Sequence, residues 1–141
     1  MNITSIAKGA FLRYVRPAHI RRLHVAVEHV LKRRIEGIVT VVCVDDRTMR
    51  ALNRRYRRKD KTTDVLSFLY AEHKGRRARA IHGDILIAVP EPQRQSRQRM
   101  LPVQAVTDEL IVHGLLHLLG YDHERSREDE KIMFVLQQKI L

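Results

Sequence analysis

The sequence predicts an α+β fold, a small mixed β-sheet packed by helices, on two observations. Apolar residues recur at helical spacing in several long segments, and short β-branched runs bounded by turn residues stand between them. The order along the chain is helix, strand, helix, strand, strand and then three helices. With 141 residues there is enough chain for one core and too little for two, so residues 1–141 are expected to fold as a single domain.

Pro17 suits the first turn of a helix, and Ile20, Leu23, Val27, Val30 and Leu31 give it one buried face before Gly37 stops it. His24 and His29 lie along it without a partner at ligand spacing, and each reads as a core or solvated histidine. Residues 1 to 27 lack Asp and Glu and carry several Arg, as organellar leaders do, but the helix from Pro17 runs straight into the domain and the stretch is read as part of the fold. Ile38 to Val44 is a β-branched run too short for a helix, hence a strand buried on both faces. Asp45 or Asp46 then caps a second helix, with Met49, Leu52 and Tyr56 inward and Arg47, Arg50, Arg54 and Arg55 outward.

A polar turn from Arg58 to Thr63 leads to a strand over Val65 to Tyr70, and Gly83 to Val89 forms the next. Between them, Glu72 to His82 carries Lys74, Arg76, Arg77 and Arg79 around Gly75 and is expected to be a mobile basic loop. Pro90 and Pro92 open a short basic helix that runs up to Pro102. Val103 to Leu119 is a longer helix, apolar on most faces after Glu109, which belongs in the centre of the domain; Gly120 ends it in a left-handed cap. Ser126 opens the last helix, whose apolar residues are Ile132, Met133, Val135, Leu136 and Ile140 and whose Glu128 and Asp129 favour the helix dipole.

The formal net charge of +11, from 27 Lys and Arg against 16 Asp and Glu, predicts a surface that concentrates polyanions, with nucleic acid the leading partner class. Aromatic content of only 5% favours backbone-led binding over an extensive base-stacking platform. The one cysteine, Cys43, permits neither an intrachain disulfide nor a cysteine-based metal site and is read as a small buried hydrophobe, which suits a reducing cytoplasm. The longest apolar stretch, Leu110 to Tyr121, is interrupted by two histidines, so no membrane span is expected and the protein is read as soluble and cytoplasmic.

The sharpest signal is His113-Gly114-Leu115-Leu116-His117-Leu118-Leu119-Gly120-Tyr121-Asp122-His123. Two histidines four apart share one helix face, Gly120 lets the chain turn back, and His123 can close a three-nitrogen site. A metal site on a central helix and the turn after it follows, with one zinc ion and a coordination position left for water; nickel suits imidazole as well. Burying three imidazoles in so short an apolar segment is costly without a shared partner, which argues against mere core histidines.

The spacing HxxxHxxGxxH is also that of the metzincin zinc peptidases, but those carry Glu directly after the first His, where this chain has Gly114. A peptidase would need Glu109, Asp122 or another carboxylate to accept the proton. A phosphodiester fits better, because its hydrolysis is helped by cations around the developing charge.

Leu52-Asn53-Arg54-Arg55-Tyr56-Arg57-Arg58-Lys59-Asp60-Lys61-Thr62-Thr63-Asp64-Val65-Leu66-Ser67-Phe68, then Gly83-Asp84-Ile85, then the histidine segment occur in that order. Over about residues 38 to 141 the chain resembles the YbeY family of endoribonucleases of ribosomal RNA maturation. The resemblance implies metal ligands at His113, His117 and His123, a functionally required arginine at Arg57, cleavage of single-stranded RNA, and work on or near the ribosome or its proteins. Independently, Arg57 sits where a basic helix gives way to a loop, a position from which a guanidinium fork can reach a phosphate. Thr62 and Leu69 stand where the family frequently has proline, a matter of loop stiffness. Glu109, one turn before His113, is read as a surface carboxylate in preference to a group supporting the site or a base, and Asp64, Asp84 and Asp122 as structural groups, Asp122 fixing the turn or an imidazole tautomer.

The leading reading is therefore a metal-dependent single-strand endoribonuclease. Its rival is a metal-stabilised rRNA-binding or ribosome assembly factor without catalysis of its own, and a zinc peptidase is third. The oligomeric state is not fixed by the sequence.

Overall fold

The computed structural model describes residues 2–7, 9–74 and 79–141, with side chains described outside 71–79. Its elements are β1 (Asn2–Ile6), a 3-10 turn (Gly9–Tyr14), α1 (Pro17–Leu31), β2 (Glu36–Val44), α2 (Asp46–Arg57), β3 (Val65–Lys74), β4 (Arg79–Ala88), α3 (Glu91–Arg99), α4 (Val103–Leu118) and α5 (Arg127–Ile140). The sheet order is β1-β2-β4-β3, parallel except where β3 runs antiparallel to β4. This is the small mixed sheet packed by helices that the sequence predicts.

Strand periodicity divides the core between the two sheet faces. Val39 and Val41 of β2 and Ile81, Ile85 and Ile87 of β4 join the main cluster with residues of α1, α4 and α5. On the opposite face Leu66, Leu86 and Ala88, with Val42, Val44 and Phe68, pack under Met49 and Leu52 of α2. Helix α2 starts where Asp45 accepts the Thr48 amide at 2.7 Å, and α5 where Ser126 accepts that of Asp129 at 3.1 Å. Among the described residues, no helix is long and apolar enough to cross a membrane.

Several elements depart from the sequence expectation. No strand was expected before Pro17, yet β1 pairs with β2; only its Ile3 is buried, too little pattern to announce a strand without the partner that supplies its ladder. Helix α1 ends at Leu31, with Lys32 in the left-handed conformation at φ 54°, well before Gly37. Gly37 instead lies within β2 at φ 126°, where a Cβ would collide with the Ile81 carbonyl of β4. Strand β2 is not buried on both faces throughout: Ile38 is 47% exposed, because α2 covers only the end that carries Val42 and Val44.

Tyr56, expected inward, is 57% exposed, its ring set edge-on to Phe68 at 5.1 Å. Most of the stretch expected to be a basic loop is strand, since β3 and β4 stay paired as far as Lys74 and Arg79; the rest, residues 75–78, lies outside the described residues. On α5, Met133 and Ile140 are buried and Leu136 partly so, whereas Ile132 and Val135 remain exposed.

Candidate metal centre

Helix α4 is held between the sheet and its neighbouring helices by Leu110, Ile111, Val112, Leu115, Leu116 and Leu118, all in the main core. That burial fixes the direction of the two histidines on its remaining face. After Leu118 the chain folds back: Gly120, at φ 96°, donates to the His117 carbonyl and Tyr121 to that of Leu116, each at 3.0 Å. Asp122 then accepts the Glu124 amide at 2.9 Å, fixing the turn that returns His123 to the helix.

The three rings meet. Their centroids are 4.6, 4.9 and 5.2 Å apart, and one ring nitrogen from each of His113, His117 and His123 lies within 4.8 Å of the others. The Nε2 atoms of His113 and His117 approach to 3.1 Å. Two nitrogens bound at zinc's usual bond length and tetrahedral angle stand about 3.3 Å apart, so this spacing suits a shared ion.

Three further observations fit the donors to zinc. The His113 Nδ1–H donates to the Gln137 side-chain oxygen at 2.7 Å, which leaves its Nε2 lone pair for the centre. Burial, then the charges of His113 and His123, push the His117 imidazole down to about 4, and burial lowers His113 as well, so both are neutral ligands near neutral pH. Finally, His123 Nδ1 is buried with no hydrogen-bond partner among the described residues.

Gly114 explains the missing glutamate. A Cβ there would lie 2.6 Å from Ile85 Cγ2, so the position faces β4 and has no room for a side chain. The Gly114 carbonyl also accepts the Ser67 hydroxyl at 3.1 Å, which ties β3 to the turn between His113 and His117.

The histidines open onto a groove of about 570 Å³ bordered by β3, the end of α2 and the turn after α4. Arg57, the last residue of α2, reaches it and bonds Glu124 through Nη2 at 3.1 Å, with the Lys59 ammonium 3.9 Å from the same carboxylate. Of the remaining sequence candidates, Asp64 and Asp122 also line the groove, whereas Glu109 and Asp84 do not. Glu109 turns away into a two-pronged pair with Arg99, at 2.6 and 2.9 Å. Asp64 accepts from Gln95 at 3.1 Å, Asp84 takes the Tyr70 hydroxyl, and Asp122 holds the turn. Gln137 and Glu124 were missed by the sequence reading; Gln137 carried one signal, a polar residue four after the apolar Met133 on the inner face of α5.

A small sheet packed by helices, with three convergent imidazoles on α4 and the turn after it at the rim of an open groove, defines a zinc metalloprotein with an accessible single-metal centre. Residues 16–141 match the family model described as Endoribonuclease YbeY, and the chain belongs to that family. The chain is 41% identical over 117 residues to the Endoribonuclease YbeY of Persephonella marina, an alignment spanning 82% of this chain and 76% of that protein. It is 44% identical over 102 residues to that of a Sulfurihydrogenibium species, spanning 72% of this chain and 66% of the relative. The solution structure of a Thermotoga maritima protein superposes with a TM-score of 0.63 at 26% identity, covering 99% of this chain and 85% of that one.

Proposed function

We propose that the protein is a zinc-dependent endoribonuclease that cuts single-stranded RNA, that ribosomal RNA under processing, maturation or quality control is its substrate, and that it works in the cytoplasm, with the ribosome or its proteins bringing the substrate to it. One observation carries this reading: the cluster of His113, His117 and His123 opens onto a groove that Arg57 also lines. When bound, zinc supplies a Lewis acid that can polarise a phosphoryl oxygen and acidify water. In this reading the three histidines hold that ion, and Gln137 fixes the His113 tautomer.

Arg57 is assigned to hold the scissile phosphate and stabilise the charge that grows on its oxygens, a task suited to a planar fork of donors. Its pair with Glu124 is about 40% exposed on the arginine side, and exposed pairs contribute about 1 kcal/mol or less, so a phosphate can displace the carboxylate. The formal net charge of +11 then favours capture of the polyanion before any specific contact. A peptidase is disfavoured because the position of its glutamate is packed against Ile85.

The test incubates zinc-loaded protein with labelled single-stranded ribosomal RNA, beside His117→Ala, Arg57→Ala and a chelated sample. Cleavage by wild type alone, with Arg57→Ala still holding zinc, is the expected result. If all samples bind RNA alike and none cuts it, the chain is a metal-stabilised RNA-binding or assembly factor instead.

A further inference from the structure

One wall of the groove beside the histidines is polypeptide backbone. Among the described residues β3 pairs with β4 alone, and residues 63–69 line the groove continuously. In an antiparallel pair, alternate residues bond the partner strand while those between them turn N–H and C=O outward. The Ala88 amide donates to the Asp64 carbonyl at 3.0 Å, and two and four residues further along, the register pairs Leu66 with Leu86 and Phe68 with Asp84. Asp64, Leu66 and Phe68 are therefore the residues bonded to β4. The Phe68 carbonyl agrees, lying 2.5 Å from the position of a Cβ on Gly83. By the same alternation Val65 and Ser67 direct donor and acceptor away from the sheet, along the groove, and so does the Leu69 N–H, which lies opposite the inward Phe68 carbonyl in one planar peptide just before the register shifts between Leu69 and Ala71.

Outward backbone groups require partners, from water or from a ligand. These groups also hold a fixed position relative to the metal ligands, because the Ser67 hydroxyl is bonded to the Gly114 carbonyl on the histidine helix. We infer that the outward edge at Val65, Ser67 and Leu69 is a base-reading subsite, on which unpaired nucleobases of the substrate strand lay their hydrogen-bonding edges.

The inference rests on the RNA reading above and deepens it. Arg57 and Arg125 line the same groove, paired there with Glu124 at 3.1 Å and Asp122 at 3.5 Å in exposed contacts that a phosphate can displace, and the net charge of +11 around them favours a polyanion over a peptide. The half-exposed Tyr56 ring, also in the groove and braced by Phe68, offers a face for a base to stack on. Val65 and Ser67 each present one donor and one acceptor and Leu69 a further donor, and the pairing edge of a base offers the same mix when it is not in a duplex. Selection for single strands follows, since in a helix those base edges are already engaged.

Leu69→Pro tests this, because proline removes an N–H that β4 does not use and is tolerated on an edge strand. Zinc affinity and melting temperature should stay at wild-type values. Cleavage is compared on single-stranded oligonucleotides of varied sequence, with an abasic site placed in turn on each side of the cut. Wild type should penalise abasic sites at one or two positions, and Leu69→Pro should lose about two- to tenfold of that discrimination, the worth of one neutral hydrogen bond.

As a second measurement independent of the variant, amide hydrogen exchange is followed on wild type with an RNA made uncleavable at the scissile linkage. Protection is expected at Val65, Ser67 and Leu69. An unchanged abasic penalty in Leu69→Pro, or no protection at these amides while the RNA is bound, overturns the inference, as does protection of them by an extended peptide but not by RNA. If wild type neither binds nor cuts any single-stranded RNA, the RNA reading itself fails, and that result is distinct from the others.

Discussion

Replacing Gln137 by Leu removes a partner that no metal ligand would show directly. The Gln137 side-chain oxygen accepts the His113 Nδ1–H at 2.7 Å, and that imidazole is half-buried. Leucine keeps the approximate volume but leaves the ring N–H facing an apolar group, a loss of about 1 to 3 kcal/mol for an unsatisfied donor. At about 1.4 kcal/mol for each factor of ten, zinc affinity should fall roughly fivefold to 150-fold, which brackets the usual loss of about 10- to 100-fold when a supporting group is deleted. Competition with a chromophoric chelator near neutral pH measures it, and Gln137→Glu, which restores an acceptor, should recover most of the affinity. Wild-type affinity in Gln137→Leu, with the fold intact by circular dichroism, would refute the argument that this bond sets the tautomer and aim of His113.

Other perturbations have equally definite outcomes. Gly114→Ala adds a methyl 2.6 Å from Ile85 Cγ2, so overpacking of about 1 to 3 kcal/mol should exceed the roughly 1 kcal/mol gained in helix propensity. Urea denaturation then shows a lower midpoint, partly restored by adding Ile85→Ala; a stabilised single variant contradicts the packing. His24 is buried against the Ile35 carbonyl, and burial lowers it from its ordinary value of 6.5, so the unfolded chain takes up its proton first. Its contribution is present above about 6.5 and is lost as the pH falls toward the lower folded value; in zinc-loaded protein, His24→Gln should show a flatter decline of stability below about 6.5 than wild type. Glu124→Gln releases Arg57 and removes a negative charge from the groove, so KM for single-stranded RNA should fall by up to about fivefold at low salt; an unchanged KM with collapsed turnover would instead make the carboxylate part of the chemistry.

The histidine pair was legible because its geometry is local: residues four apart share a helix face whatever surrounds the helix. His123 was legible through Gly120, whose φ of 96° provides the turn that the sequence required. What escaped notice depends on partners distant in sequence. Strand β1 exists by pairing with β2, and the outer halves of β3 and β4 persist by pairing with each other, although their own residues carry little apolar alternation. Gln137 meets His113 only because α5 packs against α4. Arg57 stood out from the many arginines around it through the family resemblance, and its place on the groove adds a spatial reason that its position in the chain could not.

Gly114 is where fold and chemistry constrain each other. A helix advances about 100° per residue, so when His113 and His117 face the groove the intervening Gly114 is carried round toward β4, and Ile85 fills the space a side chain would need. The close approach serves the site, because it brings the Ser67 hydroxyl to the Gly114 carbonyl and sets the strand edge beside the histidines. It also denies the helix a carboxylate next to its first histidine. Under the proposed function, a chain built this way would hold its ion without a carboxylate next to its first histidine, and selectivity and charge stabilisation are assigned to the rim: Arg57 for phosphate, and the outward edge of β3 for the strand that lies along it. That division suits a long, anionic, unpaired substrate better than a peptide, whose hydrolysis in the related zinc arrangement depends on the very side chain that the packing of α4 excludes.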